Sequence, residues 1–268
     1  MMKKKSMCTF LIIGLCACLV VFLGISYKNF LVKKNTKKFF NIVLIGAAGS
    51  GKGTQGELLT KQFNLLQVSA GDVLRAHRKD PKGKYTKQIN EYIDKGQLVP
   101  TKITNGVISQ HIKKHVFCKD CKYNGIIFDG YPREKHQLDW LTKFLKKHNN
   151  KVDAVVYIDV ALEELVDRLS GRFMCSQCGA LYHKKSKPTK VEGVCDKCGS
   201  KHFVVRGDDQ SADAIKQRFT IFENQTKIVL EEYNKQGIVI KVDGSKGPKE
   251  VNDEIVEKLK PFQQNNSN

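Results

Sequence analysis

The stretch Asn41-Ile42-Val43-Leu44-Ile45-Gly46-Ala47-Ala48-Gly49-Ser50-Gly51-Lys52-Gly53-Thr54 decides the fold. Ile42 to Ile45 is wholly apolar and largely β-branched, as a strand buried on both faces of a parallel sheet requires. The glycine-rich turn after it can wrap successive backbone N–H groups around phosphate oxygens, because glycine permits unusual φ values and close approach. A helix opening behind the turn adds positive potential, and Lys52 can reach the β and γ phosphates of a nucleotide. Serine or threonine usually follows such a lysine directly, whereas Gly53 intervenes here before Thr54.

Further short apolar runs repeat the strand character at Gly125 to Gly130, Ala154 to Asp159 and Ile238 to Val242. Helical patterns alternate with them at Leu58 to Phe63, Ala161 to Leu169, Ala212 to Asn234 and Pro248 to Leu259. This alternation predicts an α/β fold of right-handed βαβ units around a parallel sheet flanked by helices. The folded part is expected to start at Asn41 and to run to residue 262, with residues 263–268 a disordered low-complexity tail.

The 41% hydrophobic content excludes fibrous and fully disordered chains. Of the net charge of +19, eight lysines and no acids fall in residues 1–40, leaving +11 on the remainder. Such a balance suits a polyanionic small substrate or nucleic acid. Met7 to Tyr27 is a 21-residue uncharged, mainly apolar run, long enough to cross a bilayer and read as an uncleaved anchor rather than a signal peptide. The basic stretch Lys28 to Phe40 reads equally as a juxtamembrane linker or a transit-like peptide. Five lysines after the segment against three before it place the folded part on the cytoplasmic side of a membrane, with organelle targeting as the alternative.

Nine cysteines include the tetrad Cys175, Cys178, Cys195 and Cys198. Two C-x-x-C pairs of this spacing supply the four thiolates of a tetrahedral zinc site, and four thiolates leave no open position, so the zinc is read as structural. Nearby His183 and His202 are superfluous as ligands. Cys118 and Cys121 form a lone C-x-x-C, read as two semi-buried thiols before a strand.

The turn G-x-x-G-x-G-K-G-T resembles the adenylate kinase branch of P-loop nucleoside monophosphate kinases, although Ala48 stands where that family generally has proline. The resemblance continues in order through Ser69-Ala70-Gly71-Asp72-Val73-Leu74-Arg75, Gly96-Gln97-Leu98-Val99-Pro100, Asp129-Gly130-Tyr131-Pro132-Arg133, Asp167-Arg168-Leu169-Ser170-Gly171-Arg172 and Arg206-Gly207-Asp208-Asp209. It implies a P-loop core with a helical acceptor-binding insertion near residues 69–101 and a zinc-ribbon-like lid near 172–206. Gly49, Ser50, Gly51, Lys52, Gly53 and Thr54 would hold the ATP phosphates. Asp129 would hold Mg2+ through water. Arg168 and Arg172 would meet the transferring phosphates, and Lys52, Arg133, Arg206 and Arg218 would complete the catalytic set. The AMP site would draw on Ala70, Arg75, Leu98, Val99, Gly130, Arg133, Gln137, Arg206 and Arg218. The step from Asp208 to Arg218 is one residue longer than the family's usual spacing. Asp208 and Asp209 read equally as hinge capping or as contacts beside magnesium.

The implied reaction is reversible, Mg2+-dependent phosphoryl transfer from ATP to AMP by a monomer. Because such transfer involves little covalent chemistry, catalysis is mostly positioning and electrostatic stabilisation, which a set of arginines provides. Gln137 and the long lid favour AMP, whereas Ala70 resembles UMP/CMP kinases, and a GTP:AMP phosphotransferase is a further alternative. A zinc-ribbon protein binding nucleic acid would explain the charge and the tetrad but has no place for the ordered series, so no nucleic-acid partner is expected.

Overall fold

The computed structural model describes residues 38–94, 99–118, 120–205 and 211–264; the apolar segment 7–27, Leu98, Arg206, Asp208, Asp209 and the tail beyond residue 264 lie outside them. Four parallel strands, β1 (Phe40–Ile45), β2 (Leu66–Ser69), β3 (Gly125–Asp129) and β4 (Ala154–Asp159), share one sheet with a fifth, β8 (Val239–Asp243), in the order β2-β3-β1-β4-β8. Strands β5 (Arg172–Cys175), β6 (Leu181–His183) and β7 (Phe203–Val204) form a small antiparallel sheet in the order β6-β5-β7.

Register explains why β1 is apolar throughout. Ile42 pairs with Ile127 and Ala154, and Val43 pairs with Phe128 and Val155, so successive side chains alternate between two covered faces. Ile42, Leu44, Ile127 and Val156 pack with Leu59 of α1 (Lys52–Phe63) and with Ile255 and Leu259 of α9 (Pro248–Gln264). Val43, Ile45, Phe128 and Val155 pack on the other face with Val107, Ile108 and Ile112 of α4 (Thr101–His115) and Leu141 and Leu145 of α5 (Lys135–Lys147). Each such fully buried aliphatic side chain contributes roughly 1.5–3 kcal/mol.

The sheet begins earlier than the Asn41 boundary expected from the sequence. Phe40 is in β1 and its ring packs edge-on against Phe63, while Phe39 meets Phe117 and its N–H donates to Asn150 Oδ1 at 3.0 Å. Both phenylalanines are buried. Their position directly after Lys37 and Lys38 disguised them as the end of a basic linker. Strand β2 escaped detection because Leu66-Gln67-Val68-Ser69 is short and only Val68 is fully covered.

Between β2 and β3 come α2 (Ala70–Arg78), α3 (Thr86–Asp94) and α4. Helix α6 (Leu162–Ser170) leads from β4 into β5. The helical run expected over 212–234 is present but not uniform: α7 (Ala212–Ile221) and α8 (Lys227–Asn234) are joined by a π-helical turn over Phe222–Thr226. A π turn takes up more residues than an α turn, and here it sets Phe222 near Tyr157, with ring centroids 6.5 Å apart. Among the described residues no helix is long and apolar enough to cross a membrane.

Candidate active site

The turn between β1 and α1 is built on glycines with left-handed backbone. Gly51 caps α1 at φ 97°, and Gly49 has φ 86° with its α-carbon facing Leu169, where an added Cβ would lie 2.9 Å from Cγ. Any other residue would be strained at both points. Lys52 folds back over this turn, its Nζ donating to Gly46 O at 2.8 Å and Ala47 O at 2.7 Å. Burial lowers its pKa to about 8; Asp129 opposes that shift, while Arg133, Arg218 and Arg172 reinforce it. The field at Lys52 thus comes from one carboxylate and three guanidinium groups contributed by three separate segments, the Asp129 to Arg133 turn, the start of β5 and α7.

Asp129 ends β3, and Gln67 Nε2 of the neighbouring strand donates to its Oδ2 at 3.1 Å. Burial raises the Asp129 pKa, and Lys52 and Gln67 pull it back. A Cβ on Gly53 would lie 4.0 Å from Asp129 Oδ2, an ordinary contact distance, so the glycine turn passes directly beside the carboxylate. A carboxylate oxygen facing the cleft is the donor that a hard cation such as Mg2+ takes, directly or through water, so Asp129 fits that role.

These residues line one cleft of about 2990 Å3. Gly49 to Thr54, Asp129, Arg168, Arg172 and Arg218 all reach it, as do Ala70, Arg75, Val99, Gly130, Arg133 and Gln137. Arg133 is oriented by its Nε donating to Gly130 O at 2.8 Å, and its backbone N–H donates to Gln137 Oε1 at 2.8 Å. Arg168 is held by Gly244 O at 2.7 Å and by Glu164, and Arg75 pairs with Asp72 one turn back. Lys79, Lys82 and Lys84 are exposed. Leu98 and Arg206 lie outside the described residues.

Sequence reasoning missed Gln67, whose only signal is a polar residue at an inward position of a short strand. It also missed the Tyr131 hydroxyl donating to Asn105 Oδ1 at 2.6 Å, a buried bond tying the Asp129 to Arg133 turn to α4.

In the lid, the four Sγ atoms of Cys175, Cys178, Cys195 and Cys198 all lie within 4.8 Å of one another, the closest pairs at 3.5 and 3.6 Å. Tetrahedral thiolates at about 2.3 Å from a metal stand roughly 3.8 Å apart, so the tetrad fits such an ion. Each C-x-x-C ends in a left-handed glycine whose N–H returns to the first cysteine's carbonyl, Gly179 to Cys175 at 2.9 Å and Gly199 to Cys195 at 2.8 Å. Burial opposes ionisation of Cys195, but hydrogen bonds from the Tyr182 hydroxyl and the N–H groups of Lys197 and Cys198 outweigh it and hold its pKa at about 6. No histidine joins this group among the described residues.

The family model for adenylate kinase matches residues 44–238. An adenylate kinase of Caldanaerobacter subterraneus subsp. tengcongensis is 40% identical over 218 residues, covering 81% of this chain and 95% of the relative. One from Methanosarcina barkeri is 40% identical over 222 residues, covering 83% and 99%. One from Lactococcus lactis subsp. lactis is 39% identical over 215 residues, covering 80% and 97%. The chain belongs to the adenylate kinase family.

As a member of the adenylate kinase family it is a nucleoside monophosphate kinase, a phosphotransferase. The matched span contains the glycine turn, Asp129, all three guanidinium groups acting on Lys52, and the cysteine tetrad.

Proposed function

We propose that the chain transfers the γ-phosphoryl group of ATP reversibly to AMP, giving two ADP. The observation that carries this reading is the convergence of Arg133, Arg172 and Arg218 on buried Lys52 beside Asp129. That concentration of positive charge is costly without an anion and matches two nucleotides whose phosphates must be held together. Magnesium, when bound with ATP, neutralises charge on the β and γ phosphates. The turn Gly49 to Thr54 cradles the donor phosphates, Lys52 pairs with them, and Asp129 would hold Mg2+ through water. Arg133, Arg168, Arg172, Arg206 and Arg218 neutralise charge on the transferring group. Arg75 holds the acceptor phosphate, and Ala70, Leu98, Val99, Gly130 and Gln137 shape the acceptor's pocket.

The insertion over 69–101 closes on the acceptor and the lid over 172–206 on the donor, excluding water that would otherwise hydrolyse the nucleotide. Zinc on the cysteine tetrad is structural. Residues 1–37 tether the enzyme to a membrane with its catalytic part on the cytoplasmic side. Fractionation and imaging of a reporter fused to residues 1–37 test the tether, and a soluble, diffuse reporter would discard it.

Coupled turnover with ATP or GTP as donor and AMP, CMP or UMP as acceptor tests the reaction. Fastest turnover is expected with ATP and AMP. Ala70 presents only a methyl group to the acceptor region, so faster turnover of a pyrimidine acceptor would reassign the acceptor, and faster turnover with GTP the donor.

A further inference from the structure

Cys118 and Cys121 take no part in the cleft. They lie in the connection from α4 to β3, leading into the N-terminal end of that strand, whereas Asp129 stands at its C-terminal end. Their Sγ atoms are 3.1 Å apart, and the backbone N–H of Cys118 donates to Cys121 Sγ at 2.9 Å. The Cys121 thiol also lies against the carbonyls of Val116 and Cys118. Cys118 is exposed and Cys121 half-buried.

The backbone on either side is pinned. Val116 and Phe117 donate to Ile112 O, Asn64 Nδ2 donates to Lys122 O at 2.6 Å, and Asn124 N–H donates to Asn64 O at 2.8 Å. The Phe117 ring stacks on His148 at 4.3 Å. The two sulfurs are thus held about 1 Å from the ~2.05 Å bonding distance by contacts that do not involve them. A metal would need more ligands, and among the described residues the cysteine tetrad is the only group of three or more suitable side chains.

We propose that Cys118 and Cys121 are a site of reversible oxidation that closes to an intramolecular disulfide by exchange with a low-molecular-weight disulfide such as oxidised glutathione. The exposed Cys118 thiolate attacks one glutathione sulfur, forming a mixed disulfide and releasing one glutathione thiolate. Cys121 then attacks the Cys118 sulfur and releases the second glutathione. Two protein thiols are oxidised, one glutathione disulfide is reduced to two thiols, and the two protons pass to the glutathione products. The N–H of Cys118 donates to Cys121 Sγ and so keeps that sulfur beside the one it attacks in the second step. In a compartment reducing enough to keep the tetrad as thiolates, this pair rests reduced and responds when the disulfide pool rises.

The test treats the full-length, zinc-loaded protein with oxidised glutathione, alkylates remaining thiols and maps peptides by mass spectrometry. The peptide carrying both cysteines is expected to lose two hydrogen atoms and regain them with dithiothreitol, while zinc stays bound. Cys121→Ser is expected to stop at a glutathione adduct on Cys118. A persistent adduct on Cys118 in the wild-type protein, a disulfide from either residue to another cysteine, or full alkylation of both after treatment would overturn the proposal.

Discussion

Lys52 concentrates the electrostatic problem of the site, since a cation buried among three guanidinium groups needs an anion to offset them. Lys52→Ala or Arg133→Ala is expected to lower kcat by ~10³-fold or more with the fold intact, by analogy with other phosphoryl-transfer cations. Unchanged circular dichroism with a near-normal kcat would remove these residues from the site. The pH dependence has a definite sign. Lys52 has its folded pKa near 8, below its ordinary 10.5, so the free enzyme loses this charge as pH rises through about 8. We expect kcat/KM for ATP to fall across that range, because kcat/KM reports ionisations of the free enzyme. Stability runs the other way: keeping the buried cation destabilises the fold below about pH 8, and that cost is relieved as pH rises toward 10.5. A kcat/KM profile flat through pH 8 would refute the assignment.

At the scale of elements, the lid and the helix from Ala212 to Asn234 each depart from regularity for a physical reason. Among the described residues, the buried hydrophobic cluster at the small antiparallel sheet consists of Cys175, Tyr182 and Cys195, with Phe173, Ala180 and Phe203 partly covering them. A core that small is not self-sustaining, so metal cross-linking is its natural stabiliser. Replacing Cys175 and Cys178 by serine should lower Tm and abolish zinc binding while leaving substantial activity at low temperature. The tetrad's thiolates carry none of the positive charge assigned to the phosphates, and Lys52, Arg168 and Arg172 lie outside its turns. One equivalent of zinc by elemental analysis is expected in the purified wild-type protein. Activity strictly proportional to zinc content in the cold would mean that the metal takes part in the reaction. The π turn at Phe222–Thr226, for its part, widens the helix where the Phe222 ring lies near Tyr157, and Phe222, Gln225 and Thr226 line the cleft after Arg218.

At the scale of the whole molecule, the boundary of the catalytic part sets where the chain can be cut. Deleting residues 1–37 should leave a soluble, active kinase, since β1 and its packing begin after them. Deleting residues 1–40 removes Phe39 and Phe40, both buried. The loss of one buried phenylalanine ring costs about 3–5 kcal/mol, a large share of a domain's 5–15 kcal/mol. The longer deletion is therefore expected to melt far below the shorter one in a thermal scan. Equal melting temperatures would show that the two rings stabilise nothing.

The parallel-sheet fold, the glycine turn and the cysteine tetrad are all legible in the linear chain. Each of these is a local pattern: a doubly buried strand must be apolar throughout, a phosphate cradle needs glycines next to lysine, and a tetrahedral thiolate site needs paired cysteines. The remaining features depend on partners distant in the chain. Gln67 matters because β2 lies beside β3, which brings its amide to Asp129 across 62 residues. Phe39 belongs to the core because Phe117 and Asn150 meet it there. Arg133, Arg172 and Arg218 act on one lysine because the turn after β3, the start of β5 and helix α7 all face one cleft. Cys118 and Cys121 read as an unremarkable pair in sequence, and contacts from Ile112, Asn64 and His148 are what hold their sulfurs 3.1 Å apart. Local pattern fixes which conformation each segment prefers, but burial and electrostatic fields are sums over neighbours that only the assembled fold supplies.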